Sequence, residues 1–417
     1  MSNVRFDTHV TANGLTLIGE YHEHAVSTSL MYVVNAGSRD ETPELAGVSH
    51  FLEHMAFKGN EQYTADDLNR LFDEVGANYN AFTRVDATAY YGSVVHSRAE
   101  EFLTLLSQLL RPSLREDDFT VEKNVILEEI AMYQDRPEMH LYDQSRERFW
   151  NGHGLGNSIL GTASSVAGLT SEQMRTYFHS RYSTKNMLFV ATGKYNWDAL
   201  VRQVTELTKD FASGPIQRAF APATVQSGVF HETQERLKRT HMIMWYPAPK
   251  RPSAPNYTLP LLVSLIGGSS NSRLYWELEA TGLAEEASLY ADQTTDNGML
   301  YGFLQSAPED AHQVIDTYRQ VLHTVQTEGL TKKEWEQARR KYAAATTMAA
   351  ETPRGRLRAL AFSYLAWQRY LSLDEQLDLV MSASLDEAND FLATEPFNSE
   401  FLMTLGPTNP KFSSFKR

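Results

Sequence analysis

The order of patterns along this chain predicts an α+β protein of two structurally similar domains, and three observations carry that reading. Its 417 residues, at about 150 per domain, are enough for two or three domains. In each half, strand-like alternation comes first and blocks of amphipathic helix follow, the order of a layered α+β fold. Between the halves, Phe211 to Gly228 (FASGPIQRAFAPATVQSG) is rich in Pro, Ala, Ser and Gly and has little period, as a linker should. The expected divisions are 1–212 for a first domain, 213–228 for the linker and 229–417 for a second domain.

Taken in order, Gly14 to Asn35 alternates like a hairpin (LTLIGEY, then STSLMYVVN), amphipathic helices follow, and a second set of strands runs from Tyr79 to Val95. The second half repeats this order: strand-like Thr240 to Tyr246, an apolar helix from Thr258 to Ile266 ending at Gly267-Gly268, a helix with Leu274 and Leu278, and strand-like Gly298 to Gln305. Helices near Lys332 to Ala350 and Arg354 to Leu371 complete the second domain. The repetition resembles a structural duplication.

Composition removes several function classes. With 42% apolar and 22% charged residues the chain is expected to fold throughout. Its formal charge of −14 repels a phosphate backbone and disfavours nucleic acid as a partner. There is no cysteine, so disulfides, thiolate zinc sites and Cys nucleophiles are excluded, and any metal site must use His and carboxylates. The longest apolar stretches, Tyr257 to Gly268 and Ala359 to Trp367, fall short of the roughly 20 residues of a membrane span. Met1 to Asp7 lacks the apolar region of a secretory signal, so the chain as given reads as cytoplasmic.

The chemistry-bearing segment is Thr42 to Gly59 (TPELAGVSHFLEHMAFKG). A helix is expected with Thr42 as N-cap, Pro43 at its first position and Gly59 as its stop. On it, Leu45, Val48, Leu52 and Met55 form one stripe, while His50, Glu53 and His54 share a separate arc of roughly 100°. A lone His in a helix is usually structural, but two imidazoles at i and i+4 can bite one metal ion, with Glu53 beside it to act on water. This is the H-x-x-E-H pattern, and it needs a third protein ligand. Glu122 and Glu129, seven residues apart, lie within about 20° of each other on a helix and can offer one, whereas Glu128 points elsewhere. On that segment alone, a solvated acidic helix is an equal reading.

His50-Phe51-Leu52-Glu53-His54, followed by Glu122 and Glu129, resembles the inverted-motif zinc metallopeptidases that include pitrilysin, insulysin and the mitochondrial processing peptidase. The resemblance continues through Gly76 to Thr83 (GANYNAFT), Ile159 to Thr162 (ILGT) and Tyr182 to Met187 (YSTKNM), and more weakly through Gly267 to Tyr275 (GGSSNSRLY). It implies that His50, His54 and Glu129 ligate one zinc ion per chain, that Glu53 is general base and then proton donor, and that Glu122 orients a ligand His. It also implies that Asn80 and Ala81 lie on an edge strand to which an extended substrate adds, and that the two domains form half of a clam-shell chamber.

The departures matter too. Glu279 to Glu286 (EATGLAEE) lacks the Arg/Tyr pair that self-sufficient members use on the substrate carbonyl, and Arg273 and Tyr275 read as structural. The apolar helix TLPLLVSLI contains no His or Glu, so the second domain is expected to lack zinc ligands. The resulting expectation is a zinc-dependent endopeptidase subunit for small or unstructured peptides. A related zinc-less partner supplying the Arg/Tyr pair is favoured over a homodimer. The alternatives are a non-catalytic scaffold or core subunit of a larger assembly, and a dedicated processing peptidase with one peptide substrate.

Overall fold

Strands buried on both faces read as unbroken apolar runs, whereas edge strands alternate, and this distinction orders both sheets of the computed structural model. The structure describes residues 4–214, 216–218, 220–268 and 270–410. Pro215 and Ala219 of the expected linker, Ser269 of the glycine-rich turn, and both chain ends lie outside the described residues.

The strands of the first sheet are β1 (Val4–Val10), β2 (Thr16–His22), β3 (Ser27–Val34), β4 (Asn78–Thr83), β5 (Thr88–Val95) and β6 (Met187–Gly193). The first half also forms helices α1 (Val48–Ala56), α2 (Ala65–Glu74), α3 (Ala99–Gln108), α4 (Glu116–Gln134), α5 (Pro137–Phe149), α6 (Ala163–Gly168), α7 (Ser171–Arg181) and α8 (Trp197–Thr208). The strands of the second sheet are β7 (Gly228–Thr233), β8 (Thr240–Ala248), β9 (Glu286–Ala287), β10 (Tyr290–Gln293), β11 (Gly298–Ser306) and β12 (Phe401–Gly406). Its half of the chain forms α9 (Thr258–Gly267), α10 (Ala311–Glu328), α11 (Lys332–Ala349), α12 (Pro353–Trp367), α13 (Leu373–Ser382) and α14 (Leu385–Ala393).

The first sheet runs β1-β2-β6-β3-β5-β4 and the second β10-β11-β8-β12-β7, with β9 beside β11. Removing β1 and β9 leaves one topology twice: β2, β6, β3, β5, β4 correspond to β7, β12, β8, β11, β10. Each sheet is mixed, because β2 with β6 and β7 with β12 are parallel while the other pairs are antiparallel. The fully buried strands β6 (MLFVATG) and β12 (FLMTLG) lie inside, and alternating β4 lies at an edge.

This placement corrects the expected hairpin of Gly14 to Asn35. Strands β2 and β3 do not pair with each other, because β6 enters between them. The hairpin partner of β2 is β1. A one-domain stretch of alternating residues cannot reveal a strand that arrives more than 150 residues later. The helix expected around Leu274 and Leu278 is a single π-helical turn, Tyr275–Glu279.

The compact units do not follow chain order. One comprises Met1–Met132, Gly152–Pro222 and Ala349–Leu371, the other Tyr133–Asn151, Ala223–Met348 and Ser372–Arg417. Helix α12, late in the chain, packs on β3 and β6 of the first sheet, and α5, early in the chain, packs on β8 and β12 of the second. Each sheet needs a cover on its second face. Leu357, Leu360 and Ala361 of α12 close over Ile18, Met31, Val33, Leu188 and Val190, while Phe149 of α5 stacks on Trp245, whose indole N–H donates to Ser145 Oγ at 2.8 Å. In the first unit, α1 and α3 lie against the sheet as well, with Tyr32 Oη and Ser107 Oγ 3.0 Å apart.

Candidate metal centre

Helix α1 does not start where its local signals point. Thr42 and Pro43 open a short 3₁₀ turn, Pro43–Leu45, and Thr42 makes no side-chain cap. The α-helix begins at Val48, after Gly47 at φ 92°. That left-handed residue suits glycine, and a Cβ there would sit 2.4 Å from Leu160 O. Buried Glu41 takes the capping role instead, accepting the main-chain N–H groups of Gly47 and Ser49 at 2.7 Å each. Burial pushes the Glu41 carboxyl up to about 8 against the pull of those bonds. Leu45 therefore leaves the core stripe, and Phe51 joins Val48, Leu52 and Met55 in it.

Phe51 decides where α4 lies. Its ring stacks on Phe119 of α4 with centroids 4.6 Å apart, and both rings are buried. From that contact, Glu122 and Glu129 follow one and three turns along α4, beside buried Ile126 and Ile130, while Glu128 is exposed.

His50, His54 and Glu129 converge: one donor atom from each lies within 4.8 Å of the other two. The Nε2 atoms of His50 and His54 approach Glu129 Oε2 at 3.9 and 3.7 Å. Those separations are too long for hydrogen bonds, yet near the about 3.4 Å between donors placed tetrahedrally around an ion bonded at about 2.1 Å. Two neutral-capable imidazoles and a carboxylate are a zinc donor set, and the arrangement fits one such ion. Burial, with the neighbouring His54, holds His50 down at about 3, so its ring keeps a lone pair free for a metal. Its Nδ1 is buried and has no hydrogen-bond partner among the described residues.

His54 is supported differently. Its Nδ1–H donates to Glu122 Oε1 at 2.8 Å, which leaves Nε2 facing Glu129. Burial would lower the imidazole, but the Glu122 carboxylate outweighs it and raises its pKa. Burial would raise Glu122, and its bonds with His54 and Lys58 outweigh that and lower it.

Glu53 is buried on the same helix, and Thr83 at the end of β4 donates to its Oε2 at 2.6 Å. Burial raises the Glu53 carboxyl above its ordinary value, opposed by that hydrogen bond and by His54. Asn80 and Ala81 lie on the same strand, which among the described residues pairs only with β5. The Ala81 N–H is bonded by Asn80 Oδ1 at 2.8 Å rather than by β5.

Sequence reasoning missed Glu41, Lys58 and Thr83. Thr83 was inside a recognised stretch, but only pairing of β4 beside α1 brings its hydroxyl to Glu53. In the second unit Arg273 is engaged by Glu334 at 3.0 and 3.2 Å, and Glu279 accepts the Ala287 N–H. Among the described residues, no second cluster of metal-capable side chains is present.

Similarity to known proteins extends over nearly the whole chain. Residues 17–163 match the family described as Insulinase (Peptidase family M16), and residues 168–342 match the Peptidase M16 inactive domain. An uncharacterized zinc protease of Streptomyces coelicolor is 29% identical over 96% of this chain and 89% of its own length. One from Mycobacterium tuberculosis is 30% identical over 90% of this chain and 87% of its own. Among solved structures, a protease from Helicobacter pylori superimposes with a TM-score of 0.90 at 18% identity, covering 98% of this chain and 100% of that one. A chain of Complex III2 from Candida albicans superimposes at 0.82 with 14% identity, covering 96% of each.

Proposed function

The chain belongs to the insulinase, or M16, peptidase family, and from that premise we propose that it is the zinc-bearing subunit of an endopeptidase acting on small or unstructured peptides. The observation that carries this reading is the convergence of His50, His54 and Glu129 beside a buried Glu53 carboxylate. His50, His54 and Glu129 would hold zinc, one ion per chain, and the ion would supply Lewis acidity toward the attacking water and the scissile carbonyl. Glu53 takes the proton from that water and returns it to the leaving amine. Burial raises its affinity for the proton, and Thr83 holds one carboxylate oxygen so that the other is presented in a defined direction. Glu122 fixes the orientation of His54.

The substrate enters as an added β-strand on β4, whose outer edge has no partner strand among the described residues. There a substrate carbonyl replaces Asn80 Oδ1 as acceptor of the Ala81 N–H. Main-chain pairing of this kind reads few side chains, which suits extended peptides of mixed sequence. The Arg/Tyr pair for the carbonyl comes from a related zinc-less partner, a reading supported by the engagement of Arg273 with Glu334, which fits a structural role for that arginine. A purely scaffolding role gives no account of why His50, His54 and Glu129 converge at one partly buried place beside a buried Glu53.

The test is cleavage of a quenched, unstructured fluorogenic peptide by the purified chain, with zinc measured on the same sample. Glu53→Gln is expected to keep zinc and lower the rate by about 10²- to 10⁴-fold in whichever assembly is active. Glu129→Ala is expected to lose zinc. Zinc with no activity in the chain alone supports the partner, activity alone replaces it with a homodimer, and absence of both returns the scaffold.

A further inference from the structure

The two helices that carry the converging side chains are joined by one lysine. Lys58 stands just past the end of α1, and its Nζ lies 2.5 Å from Glu122 Oε2 on α4. The other carboxylate oxygen of Glu122 accepts from His54. Glu122 is 5% exposed at its side chain, and a carboxylate so placed is costly without a cation. The backbone around Lys58 is itself held from the α4 side. Arg115, directly before α4, donates to Lys58 O at 2.7 Å and to Asn60 O at 3.2 Å, and pairs with Asp118 at 2.6 Å. Among the described residues His50 has no counterpart to this support, its Nδ1 being buried without a hydrogen-bond partner. The ordering of the donor set therefore falls on His54, and through it on whatever fixes Glu122.

We propose that Lys58 is a positioning residue of the metal centre: its ammonium holds Glu122 against His54, so that His54 Nε2 stays turned toward Glu129, and it cross-links α1 to α4. The proposal rests on the reading that His50, His54 and Glu129 hold zinc. Its consequence is that zinc affinity depends on a side chain that touches neither the ion nor a ligand. Removing a group bonded directly to a metal-ligating His, as Glu122 is to His54, typically costs about 10- to 100-fold in metal affinity, and Lys58 acts through that group from one contact further out.

The experiment is zinc affinity of the full-length chain, measured by competition with a chromophoric chelator, for wild type, Lys58→Met, Lys58→Arg, Glu122→Gln, the Lys58→Met/Glu122→Gln double variant and Glu129→Ala. Glu122→Gln is expected to bind zinc about 10- to 100-fold more weakly, Lys58→Met, one contact further out, about 5- to 10-fold more weakly, and Lys58→Arg to recover to within about twofold of wild type. In the Glu122→Gln background Lys58→Met is expected to change affinity by no more than about twofold, because the group it acts through has lost its charge. A lysine that merely stabilised the fold would lower the thermal midpoint of the metal-free chain and leave these affinities alone. Lys58→Gln serves the same comparison should Lys58→Met fail to fold. If Glu129→Ala loses zinc while Lys58→Met and Lys58→Gln bind it like wild type, the role of Lys58 is overturned and the zinc reading stands. If wild type takes up no zinc, or Glu129→Ala keeps it, the zinc reading falls and the proposal falls with it.

Discussion

Helices α1 and α9 occupy the same place in two sheets of the same topology, each following the strand that corresponds in the other, and they differ in almost every exposed choice. Helix α1 carries His50, Glu53 and His54 on one arc, whereas α9 (TLPLLVSLIG) buries Leu259, Leu261, Leu262, Val263 and Ile266 and has no ionisable side chain. The duplicated frame thus tolerates either content, since what it demands of this helix is an apolar stripe. The candidate metal-binding set lies on one copy alone, as a few polar residues on the remaining face of α1.

The covers of the two sheets differ in a second way. Helix α12 is tied to the first sheet by Arg356, whose guanidinium donates to both oxygens of Glu20 at 2.8 and 2.5 Å, with Tyr370 Oη adding a third bond at 2.9 Å. The Arg356 and Glu20 side chains are 2% and 1% exposed. Helix α5 is tied to the second sheet by histidine pairs, His140 with Glu232 at 3.0 Å and Glu138 with His241 at 3.3 Å, which are partly exposed. One cover is held by a permanently charged, desolvated pair and the other by weaker, wetter ones.

Substitutions can break that contrast or sharpen it. The largest effect is expected from Arg356→Leu, which strands Glu20 in the first unit and should lower stability by about 3–5 kcal/mol in a denaturant titration. A cost below about 1 kcal/mol would place the two covers on an equal footing. Next comes acid. Burial would raise Glu20, but Arg356, His22 and Tyr370 outweigh it and hold the carboxyl at about 2, against an ordinary 4.5. A depressed carboxylate contributes stability that is complete above about pH 4.5 and is lost as pH falls toward 2. The stability difference between wild type and Glu20→Gln should therefore be about 3 kcal/mol near pH 6 and shrink across that window. A pH-independent difference would show that packing, rather than charge, is what Glu20 supplies. The smallest effect belongs to the second unit, where His140→Ala should cost no more than about 1 kcal/mol.

Much of the site was legible because it is local. The spacing of His50, Glu53 and His54, and of Glu122 and Glu129, depends only on helix periodicity, and both segments are helical with those side chains on the faces that periodicity assigns. The start of α1 was misread because Thr42 and Pro43 are good local signals overruled by the turn at Gly47, which Glu41 and the approach of Leu160 impose. Lys58 and Thr83 lie inside the segments Thr42 to Gly59 and Gly76 to Thr83, but nothing local assigns either a role. Each matters only because a distant element, α4 or β4, brings a carboxylate and a cation or hydroxyl together.

By itself the sequence determined the α+β class, the duplication in its element order, and the donor types open to any metal site, since with no cysteine only imidazole and carboxylate remained. Those are short-range properties, set by periodicity and composition. Tertiary structure alone decided that β6 divides β2 from β3, that α5 and α12 each cover the sheet of the opposite half, and that Lys58 stands behind Glu122. Such pairings are chosen by which apolar face lacks a cover and which buried charge lacks a partner. Neither question has an answer until the whole chain is folded.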